Sequence, residues 1–445
     1  MPRRAPPSVN ARSLPAARGT ALMADRRVEH LIVGAGIAGA ICARTLREQG
    51  ATGSVMVVGR ELDAPYHRPP ISKAYLRGEK SREDALVLPA GWWEANDVEL
   101  LTRTSAMSLD AAAHTAKLST KEEIEFGHAL LATGAMVRRL TVAGSDLDGL
   151  HYLRALGNAD ALRRDLEQAE RVVLIGGSYI GCEVAASLTE LGRRCTIVMQ
   201  ETVTLERHFG VQVGAFFQGV LEEHGVEVMA GEEVQRLEGD APPGGEGPGR
   251  VAAVLTAGGA ELAADVVVLG VGALPDVMLA RRSGLELGQL GGVRADSRLR
   301  SSAADVYVAG DMCEYDSVVH GRRLRIEHED VAASQGATAA QNMLGADRPH
   351  DVVPYFFSDL SDWISLEYVG PAETWDREIV RGRMQERSFS VWYLQGGRVA
   401  GALAVARPGD LDHARRLIQA GKSLDDDGLR RLADPDSDLA AVGGT

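Results

Sequence analysis

Two stretches of this 445-residue chain carry glycines at a spacing that suits a pyrophosphate. Gly34, Gly36 and Gly39 form G-x-G-x-x-G directly after the apolar run VEHLIV. In such a turn the first glycine takes the tight bend and the second lets the main chain approach the phosphates. The third lets the following helix pack on the strand. The helix N-terminus then offers N–H groups and partial positive charge to the anion. The second stretch runs from Gly176 to Gly181 after RVVLI, with Ser178 where the middle glycine belongs. A Cβ there narrows the approach, and the hydroxyl can donate a hydrogen bond in return. An acid follows the second strand of each unit. Glu61 comes after SVMVVG, although Arg60 takes the first place, and Glu201 comes after CTIVMQ. A carboxylate at such a site accepts from ribose hydroxyls; at Glu201 it also repels a 2′-phosphate, which favours NADH. Arg207 nearby leaves NADPH open.

These residues need strand, glycine turn, helix and strand in that order, and the chain supplies the order twice. The fold class is therefore α/β with two Rossmann-like dinucleotide-binding units. VYVAGD (306–311) is a further strand ending on Gly310 and Asp311. Residues 240–250, DAPPGGEGPGR, read as a hairpin tip inside the second unit. After about residue 345 the pattern changes to antiparallel strands rich in aromatics. A helix is expected at 411–420, and the last 20 residues read as frayed and acidic.

Composition sets the limits. Apolar residues make up 45%, charged residues 25%, and no apolar run reaches the roughly 20 residues of a membrane span. A net charge of −14 argues against nucleic acid as the main partner. Glycine is abundant, at 50 residues, and aromatics are scarce, at 5%, as many tight turns would require. The four cysteines form no CxxC pair and no metal-ligand spacing, so no metal site is expected, and they suit a reducing cytoplasm. The first 22 residues hold four arginines and no acid. With Met23 opening MADRRVEHLIVG, residues 1–24 are expected to be a disordered arm or the product of an upstream start codon.

From about residue 28 to 424 the sequence resembles the flavin-dependent ferredoxin reductases of the putidaredoxin reductase and biphenyl-dioxygenase reductase type. The motifs are PYHRPPISKAYL (65–76), ALLATG (129–134), GGSYIGCEVAASL (176–188) and VYVAGDM (306–312). RIEHEDVAASQGATAAQNMLG (325–345), PYFFSD and LEYVG extend the match. TLERHFG and the serine in the second turn look more like the apoptosis-inducing-factor-like branch. The resemblance implies a pyridine nucleotide-disulfide oxidoreductase-like fold. An FAD domain would span 25–148 and 264–348, an NAD domain 149–263 and an α+β C-terminal interface domain 349–425, with a tail at 426–445. It places Arg68 and Lys73 beside the flavin, Thr133 and Gly134 at the domain junction and Asp311 on the ribityl or pyrophosphate side. Glu183 would face the nicotinamide and pair with Lys73. Ala38, Ala106, Arg138, Ile180, Gly272 and Glu329 are the other positions it assigns to cofactor binding. One departure stands out: Glu329 and Asp330 follow His328, where the family commonly has a tryptophan.

What is missing separates the chemistries. The disulfide reductases need CxxxxC on the first helix, and here only Cys42 is present; residues 65–76 contain no cysteine. Electrons would then leave bound FAD directly. The expected function is an NADH-dependent FAD flavoprotein, with Lys73 and Glu183 at its catalytic centre, passing electrons to a ferredoxin- or rubredoxin-type carrier that serves a monooxygenase or dioxygenase. The rivals are an NADH oxidase or quinone-type diaphorase, and an NADH-sensing interaction module. An acidic carrier would need a basic patch; Arg322, Arg323 and Arg325 are the first candidates, Arg138 and Arg139 the second. Either a monomer or a homodimer suits the sequence.

Overall fold

The computed structural model describes residues 24–240 and 249–443. The expected N-terminal arm therefore lies outside the described residues, as does most of the loop after residue 240.

The first unit is a seven-stranded sheet. Its strands are β1 (Arg26–Val33), β2 (Val55–Val58), β3 (Val98–Leu101), β4 (Ala106–Asp110), β5 (Thr115–Leu118) and β6 (Glu123–Leu131), in the order β3-β2-β1-β6-β5-β4, with Val306–Val308 also pairing β6. β1, β2, β3, β6 and Val306–Val308 run parallel. Where both faces are covered, at Leu31–Val33, β2, Ala129–Leu131 and Val306–Val308, the strands read as continuous apolar runs. Helix α1 (Ile37–Glu48) packs on this sheet beside the helix Glu329–Met343, which also meets it, Tyr307 Oη donating to Asn342 O at 3.1 Å. Small residues permit the contact between the two helices: a Cβ on Gly336 would stand 2.2 Å from the Ala38 carbonyl oxygen.

The second unit is a five-stranded sheet, parallel throughout. Its order is Glu227–Met229, Arg194–Val198, Arg171–Ile175, Val266–Leu269 and Leu150–His151. Strands Val234–Asp240 and Arg250–Thr256 pair antiparallel beside it, and the expected hairpin tip between them falls mostly outside the described residues. The chain passes between the two units twice. The two crossings meet as a short antiparallel ribbon of Ala135–Val137 and Ala273–Pro275.

The third unit is a five-stranded antiparallel sheet, Tyr355–Leu360 through Arg398–Val405. One face shares an apolar core with the second unit: Tyr368, Phe389, Tyr393 and Leu403 pack with Phe209, Phe217 and Val184. Helix Pro408–Ala420 covers the other face. The expected frayed tail is corrected here. Residues Asp426–Ala433 form a helix capped by Asp425, whose carboxylate accepts from Gly428 N at 2.8 Å. Leu432, Leu439 and Val442 are fully covered. The cause is Arg381, a buried arginine on Arg377–Arg383. It donates to the carbonyls of Arg431 (3.0 Å), Asp434, Pro435 (3.0 Å) and Ser437 (2.8 Å). A buried guanidinium holding this many carbonyls ties down a segment whose three buried apolar side chains are scattered among acids.

Candidate functional site

The C-terminal ends of β1, β2, β6 and Val306–Val308 open on a cavity of about 770 Å³. That is within the roughly 300–1,000 Å³ of ligand sites, and it lies where open parallel sheets bind ligands. Gly34, Gly36, Ala38, Glu61, Arg68, Lys73, Ala106, Thr133, Gly134, Ile180, Glu183, Asp311 and Glu329 all line it. The first turn behaves as its spacing predicts. Gly34 has φ +125°, and Gly39 is pressed so closely on Gly34 that a Cβ would meet its carbonyl oxygen at 2.0 Å. A Cβ on Gly36, by contrast, would meet no protein atom within 4 Å, so its open side faces the cavity. A cavity of this volume with a helix N-terminus, an accessible main chain at Gly36 and Asp311 in its wall fits a flavin dinucleotide.

Lys73 and Glu183 meet on one wall, Nζ to Oε1 at 2.6 Å, with 8% and 5% of each residue exposed. Glu183 also accepts from Ser72 Oγ at 2.5 Å and from Ser358 Oγ at 2.6 Å. The carboxylate is thus held by the first unit, by the second, which supplies it, and by the C-terminal sheet. Phe357, from that same sheet, presents its ring 5.9 Å from Lys73 Nζ. A charged pair under so much cover needs these extra hydrogen bonds to offset its desolvation.

Other charges form a chain along the cavity. Glu61 accepts from Arg68 Nη2 at 2.7 Å and from the Tyr66 hydroxyl. Arg68 also donates to the Arg154 carbonyl, and Arg154 pairs with Asp311 at 2.8 Å. The acid expected to stand free for a ribose has both oxygens engaged. The nearby arginine and the phenol hold its carboxyl below the ordinary range, against the opposing effect of burial. Glu329 caps the cavity differently: it accepts from His67 Nδ1 at 2.6 Å and from Arg68 N at 3.0 Å. Burial lowers the His328 imidazole to about 4, so it is neutral at pH 7.

Of the second turn, Tyr179 and Ile180 reach the cavity, whereas Gly176, Ser178 and Gly181 do not line it. Gly176 has φ +108°, and a Cβ on Gly181 would stand 1.9 Å from the Gly176 carbonyl oxygen. Ser178 takes an extended conformation before helix Tyr179–Glu190, and its hydroxyl caps no N–H of that helix. Glu201 pairs with Arg207 at 2.5 Å. Arg138 and Gly272 join the ribbon between the units, Arg138 N donating to Gly272 O at 2.9 Å. Tyr66, His67, Ser72, Arg154, Asp276 and Ser358 were not foreseen. Tyr66, His67 and Ser72 lie within PYHRPPISKAYL and Ser358 within PYFFSD, whereas Asp276, directly after the strand Ala273–Pro275, and Arg154 belong to no such motif.

The three arginines first considered for carrier docking each have an acidic neighbour. Arg322 pairs with Glu373 at 3.5 Å, Arg323 with Asp316 at 3.0 Å and Arg325 with Glu327 at 2.6 Å, so each charge is balanced locally. Arg139 lies over the Tyr152 ring at 4.5 Å. All four cysteines are free and buried, and none lines the cavity.

Residues 28–336 match the pyridine nucleotide-disulphide oxidoreductase family, and residues 355–443 match the reductase C-terminal family. The chain belongs to the pyridine nucleotide-disulphide oxidoreductase family. It is 36% identical to the 5,5′-dehydrodivanillate O-demethylase ferredoxin reductase subunit of a Sphingobium species, over 92% of this chain and 97% of that one. The ferredoxin reductase of the CYP199A2 system from Rhodopseudomonas palustris superposes with a TM-score of 0.87 at 30% identity, covering 94% of this chain and all of that one. A covalent putidaredoxin reductase–putidaredoxin complex gives 0.85 at 31%, covering 95% and 100%. Within the family the chain is an FAD-dependent NAD(P)H oxidoreductase of the ferredoxin reductase type. No helix among the described residues is long and apolar enough to cross a membrane.

Proposed function

We propose that this protein takes electrons from NADH, in preference to NADPH, and delivers them to a separate ferredoxin-type carrier that serves an oxygenase. The observation that carries this reading is the buried Lys73–Glu183 pair on a cavity bordered by the first glycine turn and lined by no thiol. A flavin accepts a hydride and can release single electrons, which is the chemistry the cofactor supplies when bound. The chain's own residues do the rest. Gly36 and the α1 N-terminus would receive the pyrophosphate. Lys73 would set a positive charge beside the ring system, oriented by Glu183. Tyr355, Phe356 and Phe357 would close the cavity from the C-terminal sheet. Glu201, after the second strand of its unit, supports the NADH preference, since a carboxylate at that position would repel a 2′-phosphate; its pairing with Arg207 reduces that repulsion. The names of the relatives support the carrier. Stopped-flow reduction with NADH and NADPH, followed by reoxidation with a panel of ferredoxins, tests both parts. Rapid bleaching by NADH and rapid reoxidation by one ferredoxin are expected. Turnover with oxygen alone, or equal rates for both nucleotides, rejects the corresponding part.

A further inference from the structure

In a Rossmann unit the carboxylate for the adenosine ribose comes from the end of the second strand. This chain has Arg60 and Glu61 there. Glu61 is spent on Arg68 and Tyr66, and Arg60 carries the wrong charge. A different acid arrives at the same edge of the cavity. Asp276 Oδ2 sits 2.9 Å from Arg60 Nη1, and both residues line the cavity. Asp276 is largely buried and follows the strand Ala273–Pro275. Its main chain is fixed on both sides: its N–H donates to the Gly134 carbonyl at 2.9 Å, and its own carbonyl accepts from Thr133 Oγ1 at 2.6 Å. Among the described residues no group donates to Oδ1. The carboxylate is held by its backbone and by one arginine, with an oxygen left over.

We infer that Asp276 supplies the ribose carboxylate of the flavin site, with Arg60 as its positioning residue. The acid has moved from the end of the second strand to the crossing between the two units, and the arginine has taken its old place. One Asp276 oxygen is neutralised by Arg60 while the other accepts from a ribose hydroxyl. The inference rests on the reading of the cavity as the FAD site and assigns its adenosine end.

Apoprotein titrated with FAD and with FMN, which lacks the adenosine, tests this by flavin fluorescence. Asp276→Asn should weaken FAD at least tenfold, equivalent to about 1.4 kcal/mol, and leave FMN within about twofold. The double variant Arg60→Glu with Asp276→Asn restores an acid to the end of the second strand and should recover most of the FAD affinity. Unchanged FAD affinity in Asp276→Asn, or an equal loss for FMN, overturns the inference. Circular dichroism of each apoprotein identifies a variant that fails to fold. Should Asp276→Asn do so, Arg60→Ala decides the question, with loss of FAD but not FMN affinity expected and an unchanged FAD affinity overturning the inference. If the wild-type apoprotein itself takes up no FAD, the reading of the cavity fails, an outcome separate from all of these.

Discussion

Lys73 and Glu183 belong to different units of the chain, yet they form one buried ion pair that faces the cavity. Removing one partner leaves the other charge covered and unpaired, which costs on the order of 3–5 kcal/mol. Glu183→Ala should therefore lower the thermal midpoint of the apoprotein clearly. Lys73→Met combined with Glu183→Gln should lower it less than the sum of the single variants. Both single variants should slow bleaching by NADH at least tenfold. Additive stability effects in the double-mutant cycle would show that the pair is not coupled.

The cysteines give a second expectation. Burial raises all four thiols, Cys182 and Cys195 to about 12 and Cys42 and Cys313 further. A thiolate is the reactive form, so the native protein should resist iodoacetamide at pH 8 and react at four sites only after denaturation. Native-state mass spectrometry checks this. Inactivation that tracks modification of a single cysteine would restore a thiol to the mechanism.

Acid stability depends on buried histidines. His350 is 1% exposed, and burial lowers it to about 4, with Asp351 opposing the effect weakly. The unfolded chain binds a proton near pH 6.5 that the folded chain refuses until about 4. Stability is therefore complete above pH 6.5 and declines as pH falls from 6.5 towards 4. At about 1.4 kcal/mol per pH unit, the site contributes at most about 3 kcal/mol of this loss. Urea unfolding of His350→Leu at pH 7 and pH 4.5 should show a smaller drop than wild type. An identical drop in both proteins would place the acid sensitivity elsewhere.

The paired units were legible because their chemistry dictates local order. Gly34, Gly36 and Gly39 must follow a strand and precede a helix to do anything at all. The Lys73–Glu183 contact was legible only through resemblance, since no spacing within either segment brings them together. Asp276 was missed because its partner, Arg60, lies far away in the chain and no periodicity links a strand end to an inter-unit crossing. The C-terminal segment was misjudged for a related reason. Its acids dominate the composition, whereas its order depends on Leu432, Leu439, Val442 and a guanidinium on another strand. The acids beside Arg322 and Arg323 were not legible either, because Glu373 and Asp316 lie apart from them in the sequence.

Arg381 gives that account a direct test. Arg381→Ala should free the segment from Asp426 onward, because four carbonyls lose one charged donor group. Hydrogen bonds to charged groups contribute roughly 1.5–3 kcal/mol each, so a loss of several kcal/mol in the C-terminal sheet is expected. Limited trypsin digestion should then cut at Arg430 or Arg431 while the first two units stay intact. Equal resistance in wild type and variant would show that the three apolar side chains suffice.

Gly36 and Gly39 separate cofactor binding from folding within one turn. A methyl group on Gly39 would lie 2.0 Å from the Gly34 carbonyl oxygen, a main-chain atom that cannot swing aside, and 3.1 Å from Ile32 Cγ2. Gly39→Ala should therefore destabilise the apoprotein by more than about 2 kcal/mol, in line with overpacking costs. A methyl group on Gly36 meets no protein atom within 4 Å and occupies cavity space instead. Gly36→Ala should leave apoprotein stability within about 0.5 kcal/mol of wild type, as for a substitution that disturbs no packing. Its flavin affinity should fall at least tenfold, because the added carbon stands where the pyrophosphate must approach the main chain. Thermal melts of the two apoproteins and FAD titrations of both distinguish the effects. Unchanged affinity in Gly36→Ala would mean that the phosphates do not cross this turn.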